Sequence, residues 1–324
     1  MVLKKVVVTG GAGFIGSNLA EELVKANHDV IVLDNLSTGR IENITSLRAT
    51  EHFSFVKGSI TDLSGLKRVF EDAECVFHQA AIPSVQRSVE NPEAINDANV
   101  TGTLNVLLAA RDCGVKAVIY ASSSSVYGDT PTLPKREDMA PHPQSPYAVS
   151  KLASEFYCKV FSEVYGLKTV CLRYFNVYGP KQDPFSEYAA VIPRFITRVL
   201  SNQPPIIFGD GTQTRDFTFV RDVARANMLA MDRNVEGVFN IACGERISIN
   251  ELATRVMELV GVSLGVVYDV PRLGDIRDSL ADILLAREKL DYEPEFDLTR
   301  GLKETIQWFQ NVPKRLHSIS GEQR

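Results

Sequence analysis

The sequence predicts an α/β protein whose core is a doubly wound parallel sheet, and two features of its first half carry this prediction. Short apolar runs alternate with helix-length periodic segments, which is the order expected of strand–helix–strand units with right-handed crossovers. Several runs are rich in valine and isoleucine, as in strands that are buried on both faces. The predicted strands are residues 6–9, 29–34, 53–57, 75–79, 117–122 and 169–175, and the predicted helices are residues 14–26, 63–70, 98–113 and 148–165.

This alternation changes after Asn176. We expect helices near residues 191–200 and 222–231, a strand at 238–241, a helix after Ser248, a short strand at 265–270 and two C-terminal helical segments. The sequence therefore predicts a first domain over residues 1–176, a smaller mixed α/β lobe over 177–312 with some elements returning to the sheet, and a polar tail over 313–324.

The composition excludes several classes of protein. The chain has 324 residues and is 44% hydrophobic and 23% charged, which is ordinary for a globular protein. A net charge of −5 without a basic block argues against nucleic acid or a membrane surface as the main partner. The five cysteines form no C-x-x-C pair, and the N-terminus enters a strand without a secretory-signal pattern. We therefore expect no metal site, no disulfide framework and a cytoplasmic location.

A cluster of glycines follows the first predicted strand and precedes a helix. Gly11, Gly13 and Gly16 fit the pattern G-x-G-x-x-G, and Gly10, Gly13 and Gly16 fit G-x-x-G-x-x-G. Glycines here allow a sharp turn and a close approach of backbone N–H groups to a pyrophosphate at the helix N-terminus. The next strand ends at Asp34, where a carboxylate accepts ribose hydroxyls and repels a 2′-phosphate. The pattern predicts a dinucleotide site that prefers NAD to NADP.

Two residues near this site leave alternatives open. Arg40 is close enough to Asp34 in sequence to keep binding of a 2′-phosphate in question. Asp62, which follows the third predicted strand, could hold an adenine amino group or could simply cap the next helix.

A second group of polar residues lies after the strand at 117–122. Tyr147 and Lys151 are four residues apart, so on a helix their side chains share one face. The serines at 122–125 leave the carboxyl end of the strand and should face the same crevice. A free tyrosine has a pKa near ~10, and a nearby ammonium and a positive nicotinamide ring favour its phenolate. We expect Tyr147 to act as a base assisted by Lys151 and Ser123; the alternative is a solvated helix face beside a turn.

Seven segments together span nearly the whole chain: VTGGAGFIG at 8–16, DNLSTG at 34–39, HQAAIPSV at 78–85, ASSSSVYGD at 121–129, SPYAVSK at 145–151, LRYFNVYGP at 172–180 and TRDFTFV at 214–220. In these segments the sequence resembles the extended short-chain dehydrogenase/reductase family. Within that family it is similar to the NAD-dependent nucleotide-sugar 4-epimerases, most closely the subgroup acting on UDP-N-acetylglucosamine and UDP-glucose. The resemblance implies a Rossmann-like doubly wound sheet, a smaller substrate-binding lobe, NAD as cofactor and a UDP-sugar as substrate.

The resemblance also implies roles for individual residues. It makes Tyr147 the base, Lys151 its helper and Ser123 the third catalytic residue. The implied cofactor contacts are Gly10, Gly13, Phe14, Ile15, Gly16, Asp34, Asn35, Asp62, Leu63, Gln79, Ala80, Ala81, Asn99, Tyr147, Lys151 and Tyr174. The implied substrate contacts are Ser123, Ser124, Tyr147, Asn176, Val191, Phe208, Arg215, Arg272, Asp275 and Ser279.

Two positions depart from some relatives. Pro83 stands where certain relatives carry a lysine beside the nicotinamide, so the tightness of cofactor binding is expected to differ. Ser279 stands where members restricted to UDP-glucose and UDP-galactose tend to carry a tyrosine. Because serine leaves space for a 2-N-acetyl group, we expect N-acetylated UDP-sugars among the substrates.

The implied reaction is an inversion at C4 of the sugar. Tyr147 removes the C4 hydroxyl proton while the C4 hydride passes to NAD, the 4-keto sugar rotates about the diphosphate, and the hydride returns to the opposite face. The related dehydratases and decarboxylases need additional acid and base groups, typically carboxylates in the serine loop, and residues 122–125 are all serines. A non-catalytic NAD-binding scaffold is a third possibility, against which the intact Tyr147, Lys151 and Ser123 argue.

The resemblance further implies a homodimer that pairs the helices at 98–113 and 148–165 in a four-helix bundle. The apolar residues with suitable spacing are Val100, Leu104, Leu107, Leu108, Leu152, Phe156 and Phe161. The same residues could instead pack on the sheet.

Overall fold

The central sheet is the element that positions everything else. The computed structural model describes residues 3–184, 190–271 and 276–311. Within them seven strands form one sheet: β1 Lys5–Thr9, β2 Asp29–Asp34, β3 Phe53–Lys57, β4 Cys75–His78, β5 Ala117–Ser123, β6 Lys168–Tyr174 and β11 Gly237–Ile241. Their order across the sheet is β11-β6-β5-β4-β1-β2-β3, and neighbouring strands are parallel. The predicted doubly wound parallel sheet is confirmed.

Helices cover both faces of the sheet, which explains why its strands read as continuous apolar runs. On one face, α1, α8 and α10 pack over Val6, Val8 and neighbouring side chains of the other strands. On the opposite face, α2, α5 and α6 pack over Val7, Val76 and Val118. The helices are α1 Phe14–Lys25, α2 Leu63–Phe70, α3 Val85–Glu90, α4 Pro92–Asn96, α5 Gly102–Asp112, α6 Pro146–Tyr165, α7 Val191–Leu200, α8 Val220–Asp232, α9 Ile249–Val260, α10 Leu284–Leu290 and α11 Leu298–Asn311.

The second half of the chain contributes the strand β11 to the central sheet and also forms a separate hydrophobic core. Residues of α7, α9 and α11, among them Phe195, Leu252 and Leu302, pack around Phe219. Short two-stranded ladders surround this core. Their strands are β7 Val177–Tyr178, β8 Ile206–Phe208, β9 Thr214–Arg215, β10 Thr218–Phe219, β12 Ile247–Ser248 and β13 Val267–Asp269.

Some helix boundaries differ from the sequence prediction. The helix expected from residue 148 begins at Pro146, because the Ser145 side chain accepts the Ala148 N–H and caps it. The helix expected over 98–113 is α-helical only from Gly102, and Asp97–Thr101 before it is a π-helical stretch. The 3₁₀ segments Ile41–Ala49 and Ser124–Tyr127 and the short helices α3 and α4 were not predicted.

The apolar residues predicted to face a partner helix do not all lie on the surface. Leu107 and Phe161 are buried in the core, and Leu152 packs against the other face of the sheet. The apolar side chains that α6 does expose, at 36% or more of their area, are Val149, Phe156, Tyr157, Val160, Val164 and Tyr165. For these three residues the structure shows the alternative, packing on the sheet, whereas the dimer itself stays a prediction.

Among the described residues, none of the helices combines the length and the apolar character needed to cross a bilayer.

Candidate active site

The site lies along the edge where the parallel strands end. β1, β4, β5 and β6 finish side by side, and the predicted cofactor and catalytic residues lie at these strand ends and in the loops and helices that follow. In an open α/β sheet this carboxyl edge is where ligands bind.

The turn after β1 can be built only with glycine. Gly10 has a φ of +68°, and its carbonyl accepts the Gly13 N–H at 3.0 Å. A Cβ placed on Gly16 would come within 2.3 Å of the Gly10 carbonyl oxygen. The helix α1 then begins at Phe14 with no side-chain cap on its N-cap Gly13, which leaves backbone N–H groups to meet an anion. The turn fits a dinucleotide pyrophosphate, with Phe14 and Ile15 in the first turn of the helix.

Asp34 is held beside that turn. The residue is only 7% exposed, and its carboxylate Oδ2 accepts the Ala12 N–H at 3.0 Å while Oδ1 accepts the Leu36 N–H at 2.8 Å. The following residue, Asn35, accepts the Ser37 N–H with its side chain. These bonds orient a carboxylate at the end of β2, where the ribose of a dinucleotide would lie.

Asp62 is the N-cap of α2, and Leu63 is its first residue. The Asp62 carboxylate accepts the Gly65 N–H at 3.0 Å, and this bond lowers the pKa of Asp62 from its usual value. The structure therefore shows the capping alternative, whereas a contact with adenine stays a prediction.

Gln79 and Tyr174 meet in a buried cluster above β4 and β6. The Tyr174 hydroxyl lies 3.2 Å from Gln79 Oε1 and accepts the Asn227 Nδ2 at 2.8 Å, while Gln79 Nε2 donates to Asn227 Oδ1 at 3.0 Å. Asn227, fully buried on α8, was missed by the sequence analysis. The signal in the sequence was a polar residue on the apolar face of a predicted helix, because a buried polar side chain needs a hydrogen-bond partner.

Asn99 connects the loop after β4 to the helix α6. Its Oδ1 accepts the Ile82 N–H at 2.8 Å, and its Nδ2 donates to Ser150 Oγ at 3.0 Å. The loop residues Ala80 and Ala81 precede Ile82, and a Cβ on Gly10 would lie 2.6 Å from the Ala80 nitrogen. Asn99 lies in the π-helical stretch. This irregular turn orients its amide so that it bonds both the loop after β4 and the helix α6.

Tyr147, Lys151 and Ser123 are brought together by α6 and the end of β5. Lys151 is 4% exposed, and its Nζ donates to the Ala121 carbonyl at 2.7 Å and lies 5.9 Å from the centroid of the Tyr147 ring. Ser123 pairs with Tyr174 across β5 and β6, and its side chain lies close enough to Tyr147 to act on the pKa of that phenol. Burial lowers the pKa of Lys151 to about 8, and the charge of Glu155 acts in the opposite direction.

The protein by itself does not lower the pKa of Tyr147. Burial raises the pKa of this phenol above its ordinary value, and the Ser123 side chain opposes that rise only in part. The expected lowering depends also on the positive nicotinamide ring of the cofactor and stays a prediction.

A buried ion pair between Glu155 and Arg173 lies next to the catalytic residues. The sequence analysis missed it. Glu155 accepts from Arg173 Nε at 2.9 Å and from Nη2 at 2.7 Å, and Ser122 Oγ donates to Glu155 Oε1 at 2.5 Å. The side chains of the pair are only 4% and 5% exposed. Glu155 is two helical turns after Tyr147 on the same helix, which is the signal that could have identified it.

A cavity of about 250 Å³ opens beside the carboxyl end of β6. Four of the predicted substrate contacts line it together: Asn176, Val191, Phe208 and Arg215. The Arg194 guanidinium lies 4.8 Å from the centroid of the Phe208 ring, and Arg215 Nη1 donates to the carbonyls of Thr214 and Arg277. The cavity combines apolar walls with fixed cations, which suits a nucleotide diphosphate.

Asn176 and Ser279 are in direct contact. Asn176 Nδ2 donates to Ser279 Oγ at 3.2 Å and to the Asp216 carbonyl at 2.9 Å. Ser124, the first residue of the 3₁₀ turn after Ser123, is partly exposed at the end of β5. Arg272 and Asp275 lie outside the described residues.

Asp216, next to the cavity residue Arg215, links three segments of the chain by hydrogen bonds. The sequence analysis did not predict this role. Its fully buried carboxylate accepts the N–H groups of Cys243, Gly244 and Ala281 at 3.0–3.1 Å. Burial raises the pKa of Asp216 to about 7, against the effect of these donors. The carboxylate thus ties the segment of Arg215 to the segments on which Cys243 and Ser279 lie.

Comparison with known proteins agrees with this arrangement. The model of the NAD dependent epimerase/dehydratase family matches residues 6–242. The chain is 44% identical over 308 residues to a putative UDP-glucose 4-epimerase of Methanocaldococcus jannaschii. This match covers 94% of this chain and 98% of the relative. A solved UDP-N-acetylglucosamine 4-epimerase from Methanobrevibacter ruminantium, in complex with UDP-N-acetylmuramic acid, is similar with a TM-score of 0.92 and 41% identity over 96% of this chain and 99% of that one. A UDP-glucose 4-epimerase from Thermotoga maritima, solved with UDP-glucose, has a TM-score of 0.90 and 41% identity over 94% and 98% of the two chains. The chain belongs to the NAD-dependent epimerase/dehydratase family, and NAD is its cofactor.

Proposed function

We propose that this protein is a UDP-sugar 4-epimerase, an isomerase that inverts C4 of UDP-glucose and UDP-galactose and of their N-acetylated counterparts. The observation that carries the proposal is the joint placement of Tyr147, Lys151 and Ser123 beside Tyr174, at the strand end that leads into the cavity of Asn176 and Arg215. The names of the similar proteins support the same reaction.

The glycine turn at residues 10–16 and Asp34 would hold NAD, which would supply reversible hydride chemistry at C4 of the sugar. Tyr147 takes the proton of the C4 hydroxyl at its phenol oxygen and later gives it back. Ser123 holds the same sugar oxygen through its hydroxyl. Lys151, fixed by the Ala121 carbonyl, supplies a positive charge next to the phenol, which favours the phenolate that must form.

The second lobe, residues 177–312, is proposed to hold the UDP part while leaving the hexose free to turn. Arg215 is suited to the diphosphate because a guanidinium stays charged and pairs with two oxygens. The wall formed by Val191 and Phe208 is suited to the uridine. Arg272 and Asp275 remain candidate contacts on the resemblance alone.

The identity of the sugar is proposed to depend on Ser279. Its side chain is small, 8% exposed and bonded to Asn176 on the wall of the cavity, so a tyrosine in its place would fill the space next to that wall. We propose that N-acetylated sugars are accepted for this reason.

The dehydratase and decarboxylase alternatives receive less support. Their chemistry needs acid and base groups close to the reacting carbons, and the loop at the end of β5 carries serines at 122–125. A non-catalytic scaffold would not require a buried lysine beside a tyrosine, because burying an ammonium is costly.

We also propose a cytoplasmic homodimer. The apolar stripe of Val149, Phe156, Val160 and Val164 recurs at helical spacing along α6 and is exposed, and a second copy of the same helix is a complementary surface for it. Sedimentation of the purified protein tests the dimer.

The direct test is incubation of the holoenzyme with each UDP-sugar and no added hydride acceptor, followed by NMR of the sugar. The expected result is a mixture of gluco and galacto configurations without net NADH. Tyr147→Phe should reduce the rate by about 10²–10⁴-fold while the exposed Tyr157→Phe keeps it. A dehydrated product, or an unchanged rate in Tyr147→Phe, would refute the proposal.

A further inference from the structure

Arg40 lies next to the carboxylate that faces the ribose of the cofactor. Its backbone N–H donates to the Ala12 carbonyl at 2.9 Å, and the Ala12 N–H is the donor to Asp34 Oδ2. A Cβ on the preceding residue, Gly39, would lie 2.7 Å from that same oxygen. An arginine that begins here has the chemistry and the position to pair with a 2′-phosphate on the ribose.

The Arg40 side chain is instead engaged by the other half of the chain. Its Nη2 donates to Asp183 Oδ2 at 2.6 Å, across 143 residues of sequence. Asp183 belongs to a segment that is joined to α1 by two further contacts. Asn18 Nδ2 donates to the Pro180 carbonyl at 3.1 Å, and Lys181 forms an ion pair with Glu21 at 2.7 Å.

We propose that Asp183 is a determinant of cofactor selectivity, because it holds the Arg40 guanidinium so that it does not pair with a 2′-phosphate. Asp34 then acts against NADP directly, by repelling the 2′-phosphate, and Asp183 acts indirectly, by occupying a nearby cation that would attract it. The proposal goes beyond the sugar reaction and concerns only which dinucleotide the site retains.

The expected size of the effect follows from the exposure of the pair. The two side chains are 41% and 34% exposed, so solvent screens the contact and the pair contributes modestly. Release of Arg40 is expected to raise the preference for NADP about fivefold, which corresponds to about 1 kcal/mol.

The test uses the purified holoenzyme and measures bound nucleotide, not epimerisation. Each variant is incubated with equal concentrations of NAD and NADP, freed of unbound nucleotide and denatured, and the released NAD and NADP are quantified by chromatography. Asp183→Asn should raise the ratio of NADP to NAD about fivefold. Glu21→Gln is the matched control: it breaks an ion pair of the same segment without touching Arg40, and its ratio should equal that of the unmodified protein.

A double variant identifies the cation. In Arg40→Gln/Asp183→Asn the gain in NADP should disappear, because the guanidinium that binds the phosphate is gone. The proposal is overturned if Asp183→Asn leaves the ratio unchanged, if Glu21→Gln raises it equally, or if the gain persists in the double variant. Asp183→Ser repeats the measurement with a different side-chain volume, and thermal unfolding verifies that each variant is folded. Since the readout is nucleotide content, a failure here is separate from a failure of the proposed epimerase activity.

Discussion

The buried pair of Glu155 and Arg173 yields a sharp prediction for Glu155→Gln. The glutamine keeps an acceptor oxygen for Ser122 or Arg173 but removes the negative charge that compensates a guanidinium with almost no solvent contact. Removing one partner of a buried ion pair typically costs about 3–5 kcal/mol, because the other charge stays buried and uncompensated. We expect a loss of free energy of unfolding within that range.

The substitution should also change catalysis. The Glu155 charge opposes the desolvation that lowers the pKa of Lys151 to about 8. Without it the pKa of Lys151 falls further, so the lysine loses its charge at lower pH and the alkaline decline of activity moves towards neutrality. A purely structural role for Glu155 would lower stability without moving this decline.

Urea unfolding followed by the fluorescence of Trp308 measures the loss of stability, with the midpoint and slope read together. Glu163→Gln, on the same helix, is the control. Its ion pair with Lys159 is more than half exposed on both sides, so we expect a change within about 0.5 kcal/mol. The double variant Glu155→Gln/Arg173→Met should recover most of the stability, because no buried charge remains unpaired. A loss below about 1 kcal/mol for Glu155→Gln, or equal effects of the two glutamine variants, contradicts the reasoning.

Three further predictions follow from the site. Gly16→Ala places a Cβ 2.3 Å from the Gly10 carbonyl oxygen, and the forced shift of the turn should weaken NAD binding about tenfold; a NAD content equal to that of the unmodified protein after dialysis would show that the turn is not the pyrophosphate site. The activity of the unmodified protein should decline as pH rises through about 8, because Lys151 loses its proton there; a rate that is constant across this range argues against a need for its charge. Asp216→Asn leaves one acceptor oxygen for three backbone donors, and the unmatched N–H groups should cost about 1–3 kcal/mol in urea unfolding; an unchanged midpoint would mean that these bonds add nothing to stability.

The sheet and the catalytic helix could be predicted because their signals are local. The inner strands of the first half are buried on both faces, so they appear as short apolar runs. Both β2 and the partly exposed edge strand β3 were predicted at their observed bounds. Tyr147 and Lys151 lie one turn apart on a single helix, so their proximity follows from helix geometry alone.

The supporting contacts could not be predicted because they join distant parts of the chain. Arg40 meets Asp183, and the Asp216 carboxylate meets backbone groups near residues 243 and 281, and no local pattern specifies such a pairing. The direction in which the protein alone shifts the pKa of Tyr147 could not be predicted for a related reason: it depends on how far the phenol is buried, which only the packed structure determines.

The position of β11 has a consequence for dividing the chain. It pairs with β6 at the edge of the sheet, from Gly237 beside Val170 to Ile241 beside Tyr174, and α8 packs on α1 within one shared core. A proteolytic fragment that ends at residue 176 would leave the outer edge of β6 without hydrogen-bond partners and bare an apolar face, which favours aggregation. Split-protein or circularly permuted versions should therefore keep Gly237–Ile241 on the same piece as β6, and the two halves are expected to unfold in a single cooperative transition.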